Sequence, residues 1–161
     1  MFHTEAQVAL RRGQDAASRA LRDLFLGLLQ DEQPFRRLAE MIAGTDLQYA
    51  TIGGRAPAGS FVPELALATS ASTARLAELM RNARPVLLDL TGRAEFDVIA
   101  LAWEPRIEVH AVTALDRPAD AMLIRPDGYV AWCAAVGEPA ATSVPRLRDA
   151  LTRWFGEAAS R

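Results

Sequence analysis

The chain has no lysine, one cysteine and two histidines in 161 residues. All eighteen cationic side chains are therefore arginines, which we read as the codon bias of a GC-rich genome, and catalysis through a lysine Schiff base is excluded. A single thiol, Cys133, cannot close an internal disulfide or build a thiolate metal cluster. His3 and His110 lie far apart in sequence, which argues against a structural zinc site. No apolar run approaches the roughly 20 residues that span a bilayer. The opening MFHTEAQVALRRGQ mixes acidic and basic side chains and holds no apolar core of signal-peptide length, so the expected location is the cytoplasm. A net charge of −2 gives no long-range reason to expect nucleic acid or an anionic membrane as partner.

What is present is ordinary for a globular protein: 50% apolar and 24% charged residues, enough to bury a core in one domain with a helical appendage. Residues 4–43 have helical spacing. Leu21, Leu24, Phe25, Leu28 and Leu29 form one broad apolar face, and Phe35, Leu38, Ala39 and Ile42 form another after Pro34. Gly44 stands where a C-terminal cap belongs. The spacing predicts a pair of helices whose apolar side needs a cover. Glycine and proline then punctuate residues 45–63, a linker into a second unit.

The second unit alternates strand and helix. An extended stretch near 61–68 is expected to lead, followed by a helix over 72–83, the buried strand VLLDL at 86–90, a helix bearing Phe96, Ile99, Ala100 and Trp103, and the strand IEVHAVT at 107–113. AMLIRPDGYVAWC, residues 121–133, is a hairpin. Pro126 presets φ for a type I turn, Asp127 bonds nearby backbone and Gly128 accepts a positive φ. A last helix starts at Ser143 and Pro145, buries Leu147, Ala150, Leu151 and Trp154, and stops at Gly156. Helices between the early strands imply parallel crossovers, and the hairpin adds an antiparallel pair. The fold class is α/β: a thioredoxin-like sandwich with a mixed sheet and no CxxC, preceded by an N-terminal helical pair. The boundary is placed between residues 1–50 and 51–161.

Four segments in order, GGRAPAG (53–59), RPVLLDLTG (84–92), MLIRPDGYVAW (122–132) and LRDALTRWFG (147–156), resemble the C-terminal region of class A FAD-dependent aromatic-ring hydroxylases. The pattern is nearest to actinobacterial enzymes that tailor aromatic polyketides. The upstream ALRDLFLGLLQDEQPFRRLAEMIAGTDLQYA is similar to the helices that precede that region. The resemblance implies a thioredoxin-like domain without a redox dithiol. The loop that carries two cysteines in a redox thioredoxin is here Thr91-Gly92-Arg93-Ala94. The family's dinucleotide-binding fold has no counterpart, because no GxGxxG follows a strand. GGRAPAG reads as a turn into the sheet, anchored by Arg55. The expectation is that this chain alone binds no cofactor and meets FAD only through a partner or a missing domain. Met1 before HTEAQ suggests a free-standing version of the region, the alternative being a fragment of a longer enzyme.

Candidate chemistry is sparse. Asp46, Tyr49 and Arg55, grouped around a cleft between the helical pair and the sandwich, would offer a carboxylate, a phenol and a cation for proton transfer on a polyphenol. Their plainer reading is a turn cap, a packed ring and a structural ion pair. His110, alternating along a strand on the face of Glu108, reads as a surface histidine or an acid/base group at a cleft edge. Cys133 reads as a small buried hydrophobe, and Trp103, Trp132 and Trp154 as core. Two functions stay open. The favoured one is an accessory or association module in aromatic polyketide antibiotic tailoring, self-associating as a homodimer through the N-terminal helices or docking on a flavoprotein hydroxylase. The alternative is a flavin-independent enzyme using acid/base chemistry on an aromatic polyketide intermediate. A redox thioredoxin fails for want of a second thiol.

Overall fold

The computed structural model describes residues 2–51, 56–68, 73–104, 106–114 and 116–158. The chain divides into two compact units, residues 1–46 and 47–161. The first holds three helices, α1 (Phe2–Arg12), α2 (Ala16–Leu28) and α3 (Glu32–Ala43), where the periodicity predicts two. Asp15 makes the extra break. Its Oδ1 accepts the Ser18 backbone N–H at 2.8 Å and its Oδ2 the Ser18 hydroxyl at 2.6 Å, an N-cap that starts a new helix. Those Ser18 bonds hold the Asp15 carboxyl below its usual range. Arg22 reaches back to the Leu10 and Gly13 carbonyls (2.9 and 2.7 Å), filling acceptors that α1 leaves unpaired. Gly44 ends α3 in a left-handed conformation, as its position predicts.

The second unit is built on a four-stranded sheet of β3 (Val86–Asp89), β4 (Glu108–Ala111), β6 (Ala121–Ile124) and β7 (Val130–Ala134), in the order β4-β3-β6-β7. β3 and β4 are parallel, joined through α5 (Ala94–Ala100), which continues as a 3-10 turn over Leu101–Trp103. β6 runs antiparallel to both β3 and β7. The hairpin is as the sequence predicts. Gly128 N donates to Arg125 O, Arg125 N donates to Tyr129 O, and Gly128 has φ +84°. A Cβ on Gly128 would also stand 2.6 Å from the Phe61 ring.

Three elements differ from expectation. The predicted leading strand enters a separate small sheet, β2-β1-β5, built from β1 (Ala66–Ala68), β2 (Thr73–Arg75) and β5 (Thr113–Ala114). Only Leu67 of β1 is buried, whereas every residue of β3 and β6 is, so β1 has the half-exposed pattern of a covering sheet. The helix expected over 72–83 gives its first part to β2 and keeps one turn, α4 (Leu76–Leu79), with a 3-10 turn after it. The last helix, α6 (Ala140–Phe155), starts before Ser143. Pro145 therefore lies inside it, and the Ser143 hydroxyl donates to the Pro139 carbonyl at 3.2 Å.

Alternate residues of the main sheet feed two cores. Leu88, Met122 and Cys133 face Leu65, Leu67 and Leu76 on the small-sheet side. Leu87, Leu123 and Trp132 face Phe96, Trp103, Leu147 and Leu151 from α5 and α6. The Trp103 indole N–H donates to Gly156 O at 2.8 Å, and the Arg106 guanidinium donates to the Phe155 and Glu157 carbonyls, closing the C-terminus of α6.

Candidate functional site

The end of β3, where a redox thioredoxin would present its thiols, carries a carboxylate. Asp89 is fully buried, and its Oδ1 accepts the Thr91 N–H, the Thr91 hydroxyl and the Gly92 N–H at 2.8, 2.8 and 3.0 Å. Its Oδ2 and the Oδ1 of Asp97 are buried without hydrogen-bond partners. Burial, and then the neighbouring Asp89 carboxylate, push the Asp97 carboxyl above its usual range. Arg93 turns the next residues into a brace. Its guanidinium donates to Asp120 Oδ2 at 2.9 Å and to the Glu138 carbonyl at 3.0 Å, while Phe96 lies beneath it at 5.1 Å. Arg146 from α6 closes the circuit on Glu138 Oε2 at 2.8 Å and on the Cys133 carbonyl at 3.2 Å. These charges are spent on tying the loop after β3 to the ends of β6, β7 and α6. None of them is spelled in a contiguous motif, so the sequence reading missed them.

The described backbone amides of the loop after β3 and of Gly59 are also engaged. Those at the loop after β3 are aimed at the Asp89 carboxylate, whose charge repels a phosphate. Of the glycine-rich segment, residues 53–55 fall outside the described residues. Gly59 N donates to Val130 O and Gly59 O accepts the Tyr49 N–H, both at 2.8 Å. Gly59 has φ +87° and approaches so closely that a Cβ there would stand 2.2 Å from Tyr49 O. The described residues of this segment form a backbone clasp and do not fit a pyrophosphate site.

The candidate residues that the structure describes each make local contacts. Asp46 belongs to the first unit, where Arg37 approaches its Oδ2 at 3.7 Å. Tyr49 belongs to the second and packs edge-on against Tyr129 with 4.8 Å between ring centroids. Arg55 lies outside the described residues. His110 sits on edge strand β4, 3.6 Å from Glu108 Oε2, whereas Tyr49 contacts the hairpin at the other side of the sheet. The Asn82 amide, helped by His110 and Arg84, draws the Glu108 carboxyl below its usual range against the opposing effect of burial. Cys133 is buried among apolar side chains, as expected.

Trp154 is the correction among the tryptophans. Trp103 and Trp132 are core, but Trp154 is 39% exposed in the last turn of α6. Arg125, the residue before the Pro-Asp-Gly turn, lays its guanidinium 4.5 Å from the Trp154 ring centroid and 5.1 Å from that of Tyr49. Beside this stack, Trp132, Ala150, Arg153 and Trp154 line an elongated cleft of about 440 Å³, with Ala50 and Thr51 along one side. In the first unit the apolar faces stay uncovered: no residue of α2 or α3 is buried, and Leu21, Leu24, Phe35 and Ile42 are exposed.

An α/β sandwich closed by a Pro-Asp-Gly hairpin, with a carboxylate and an arginine brace in place of a dithiol, agrees with what the comparisons find. Residues 55–158 match the family model described as aromatic-ring hydroxylase, C-terminal. The chain belongs to this family. It is 34% identical over 160 residues to the 12-dehydrotetracycline 5-monooxygenase/anhydrotetracycline 6-monooxygenase of Streptomyces rimosus, covering 96% of this chain and 31% of that protein. It is 31% identical to the dialkyldecalin synthase of Streptomyces rugosporus, covering 97% of this chain and 28% of the relative. The solved anhydrotetracycline hydroxylase of Streptomyces rimosus superposes with a TM-score of 0.76 at 34% identity, over 97% of this chain and 32% of that one. The chain thus spans about a third of these relatives, and the matched stretch includes the first unit as well as the sandwich. No helix among the described residues is long and apolar enough to cross a membrane.

Proposed function

We propose that this chain is the flavin-free association module of an aromatic-ring hydroxylase system. It docks through its first unit on a flavin-bearing body that performs the oxygenation of an aromatic polyketide in antibiotic tailoring. The observation that carries this reading is the apolar face of α2 and α3, on which Leu21, Leu24, Phe35 and Ile42 are exposed and no residue is buried. Exposed apolar patches of this kind mark interaction surfaces. That the matched monooxygenase relatives are about three times as long points to the partner: the remaining portion of such an enzyme, which the family resemblance implies carries FAD. FAD then belongs to the partner, in keeping with amides after β3 that are already held by a carboxylate. The local contacts of Asp46 with Arg37 and of Tyr49 with Tyr129 support this reading over the acid/base alternative.

The test is reconstitution. The chain is mixed with a flavoprotein hydroxylase truncated to remove its own C-terminal third, and the mixture is followed by size-exclusion chromatography with light scattering and flavin absorbance. The expected product is a one-to-one complex that carries flavin, and Leu24→Glu with Phe35→Glu abolishes it. Separate elution of the two chains overturns the reading, as does a homodimer of this chain that excludes the body.

A further inference from the structure

We propose that the cleft between β7 and the last turns of α6 binds a small planar polycyclic aromatic that carries carbonyl and hydroxyl oxygens. This site lies wholly in the second unit and is independent of docking through the first. Three observations build it.

Two indoles line it. Trp132 of β7 and Trp154 of α6 face a cleft of about 440 Å³, and Ala131 and Ala150 keep the space between them clear. That volume is in the range of small-molecule sites, and the two indoles suit an aromatic ring system. Trp154 is also preorganised: Arg125 stacks on it at 4.5 Å and is itself held by the rings of Tyr49 and Tyr129 at 5.1 and 5.9 Å. A large exposed ring fixed by a cation lends its remaining surface to a ligand without the usual ordering cost.

The polar groups are complementary to oxygens on such a ring. Trp132 lends its ring rather than its indole N–H, which is buried and has no acceptor among the described residues. Arg153 reaches the same cleft, and among the described residues no carboxylate pairs with it. Asp149, one turn earlier on α6, offers an acceptor for a ligand hydroxyl. Arg146, the other cation in the lining, already serves Glu138. A cation and a carboxylate beside two indoles select a hydroxylated quinone or a related phenol over a hydrocarbon or a flexible aliphatic acid.

Binding of 1,2-dihydroxyanthraquinone (alizarin) to the full chain tests this, read by the probe's visible absorbance and by titration calorimetry, with deoxycholate as a non-planar control. One-to-one saturable binding is expected for alizarin and none for deoxycholate. Trp154→Ala, a surface change, is expected to weaken binding about tenfold, the usual worth of one stacking partner. Arg153→Gln weakens it about threefold to tenfold, and Ala150→Phe fills the slot and removes it. Circular dichroism confirms that each variant is folded. Absence of saturation at millimolar probe overturns the proposal, and so does unchanged binding in both Trp154→Ala and Arg153→Gln. Loss of binding in Phe35→Glu with these two unaffected would move the ligand to the first unit and overturn it equally.

Discussion

Phe35 and Phe96 are the same residue near the start of two helices, and they end in opposite surroundings. Phe96 is 0% exposed, packed edge-on against Trp132 at 5.8 Å and covered by α6. Phe35 is 60% exposed in the first turn of α3. The difference lies in the sheet. In the second unit β3 and β6 offer two apolar faces that need covering, and α5, α6 and the small sheet supply the covers. The first unit has helices and no sheet, so its apolar stripes meet no opposite layer within their own unit. Amphipathicity states that a face needs cover, but whether the cover is in the same chain is a separate question. The second unit covers its own apolar faces, and the helices of the first do not bury theirs against one another.

The sharpest way to break the comparison is to truncate both rings. Phe96→Ala should cost about 3–5 kcal/mol, as for other buried aromatics, and lower the denaturant midpoint accordingly. Phe35→Ala in the isolated chain should stay within about 0.5 kcal/mol, as for other surface changes. Equal costs in urea unfolding would mean that the first unit has a core after all. Next in size is Arg93→Ala, which removes the brace between the loop after β3 and Asp120 and Glu138. Breaking a buried pair from one side costs about 3–5 kcal/mol. The lower end is expected here, because Arg117 at 3.3 Å and the Gly137 N–H at 2.9 Å still serve Asp120. Arg93→Lys should recover only part of the loss, since a single ammonium cannot span both acceptors. Full recovery would show that charge alone matters at this corner.

How much was legible in the sequence follows from what kind of signal each element carries. VLLD, AMLI and the Pro-Asp-Gly turn are local statements, and the structure repeats them residue by residue. The break at Asp15 was hidden because the apolar spacing runs on across it, whereas the cap is a single polar contact to Ser18. β1 was legible as extended chain but not as a member of the small sheet, since pairing partners are not encoded locally. The site suffered most. Arg93, Asp120, Glu138 and Arg146 are scattered over more than fifty positions and meet only at the ends of the strands. Trp154 carried the periodicity of a core position, yet in the last turn of α6 it is Phe155 that packs on the core while Trp154 is exposed.

A smaller effect separates the hairpin from the helices. Gly128→Ala places a side chain at φ +84° and against the Phe61 ring, so it should cost more than about 1 kcal/mol, beyond the usual glycine-to-alanine range. The loss should appear as lower melting of the second unit, with the helical signal of the first left in place. If both melt together, the two compact units unfold as one.

The smallest expected change has the opposite sign. The folded state raises the Asp97 carboxyl above its usual range, first by burial and then through Asp89. A carboxyl whose folded pKa exceeds its unfolded value binds more protons folded than unfolded over the interval between the two. Stability therefore falls as pH rises through that interval, and the penalty is fully present above it. Asp97→Asn removes the charge that burial opposes, so the variant should melt slightly higher than the parent at neutral pH. The gap should close on acidification below the usual carboxylate range, where Asp97 is protonated in both states. A gap that does not change with pH would trace the gain to packing instead. A variant less stable than the parent at neutral pH would show that the Asp97 carboxylate holds a bond worth more than its burial costs, and that this corner of the sandwich is better satisfied than its unpartnered oxygens indicate.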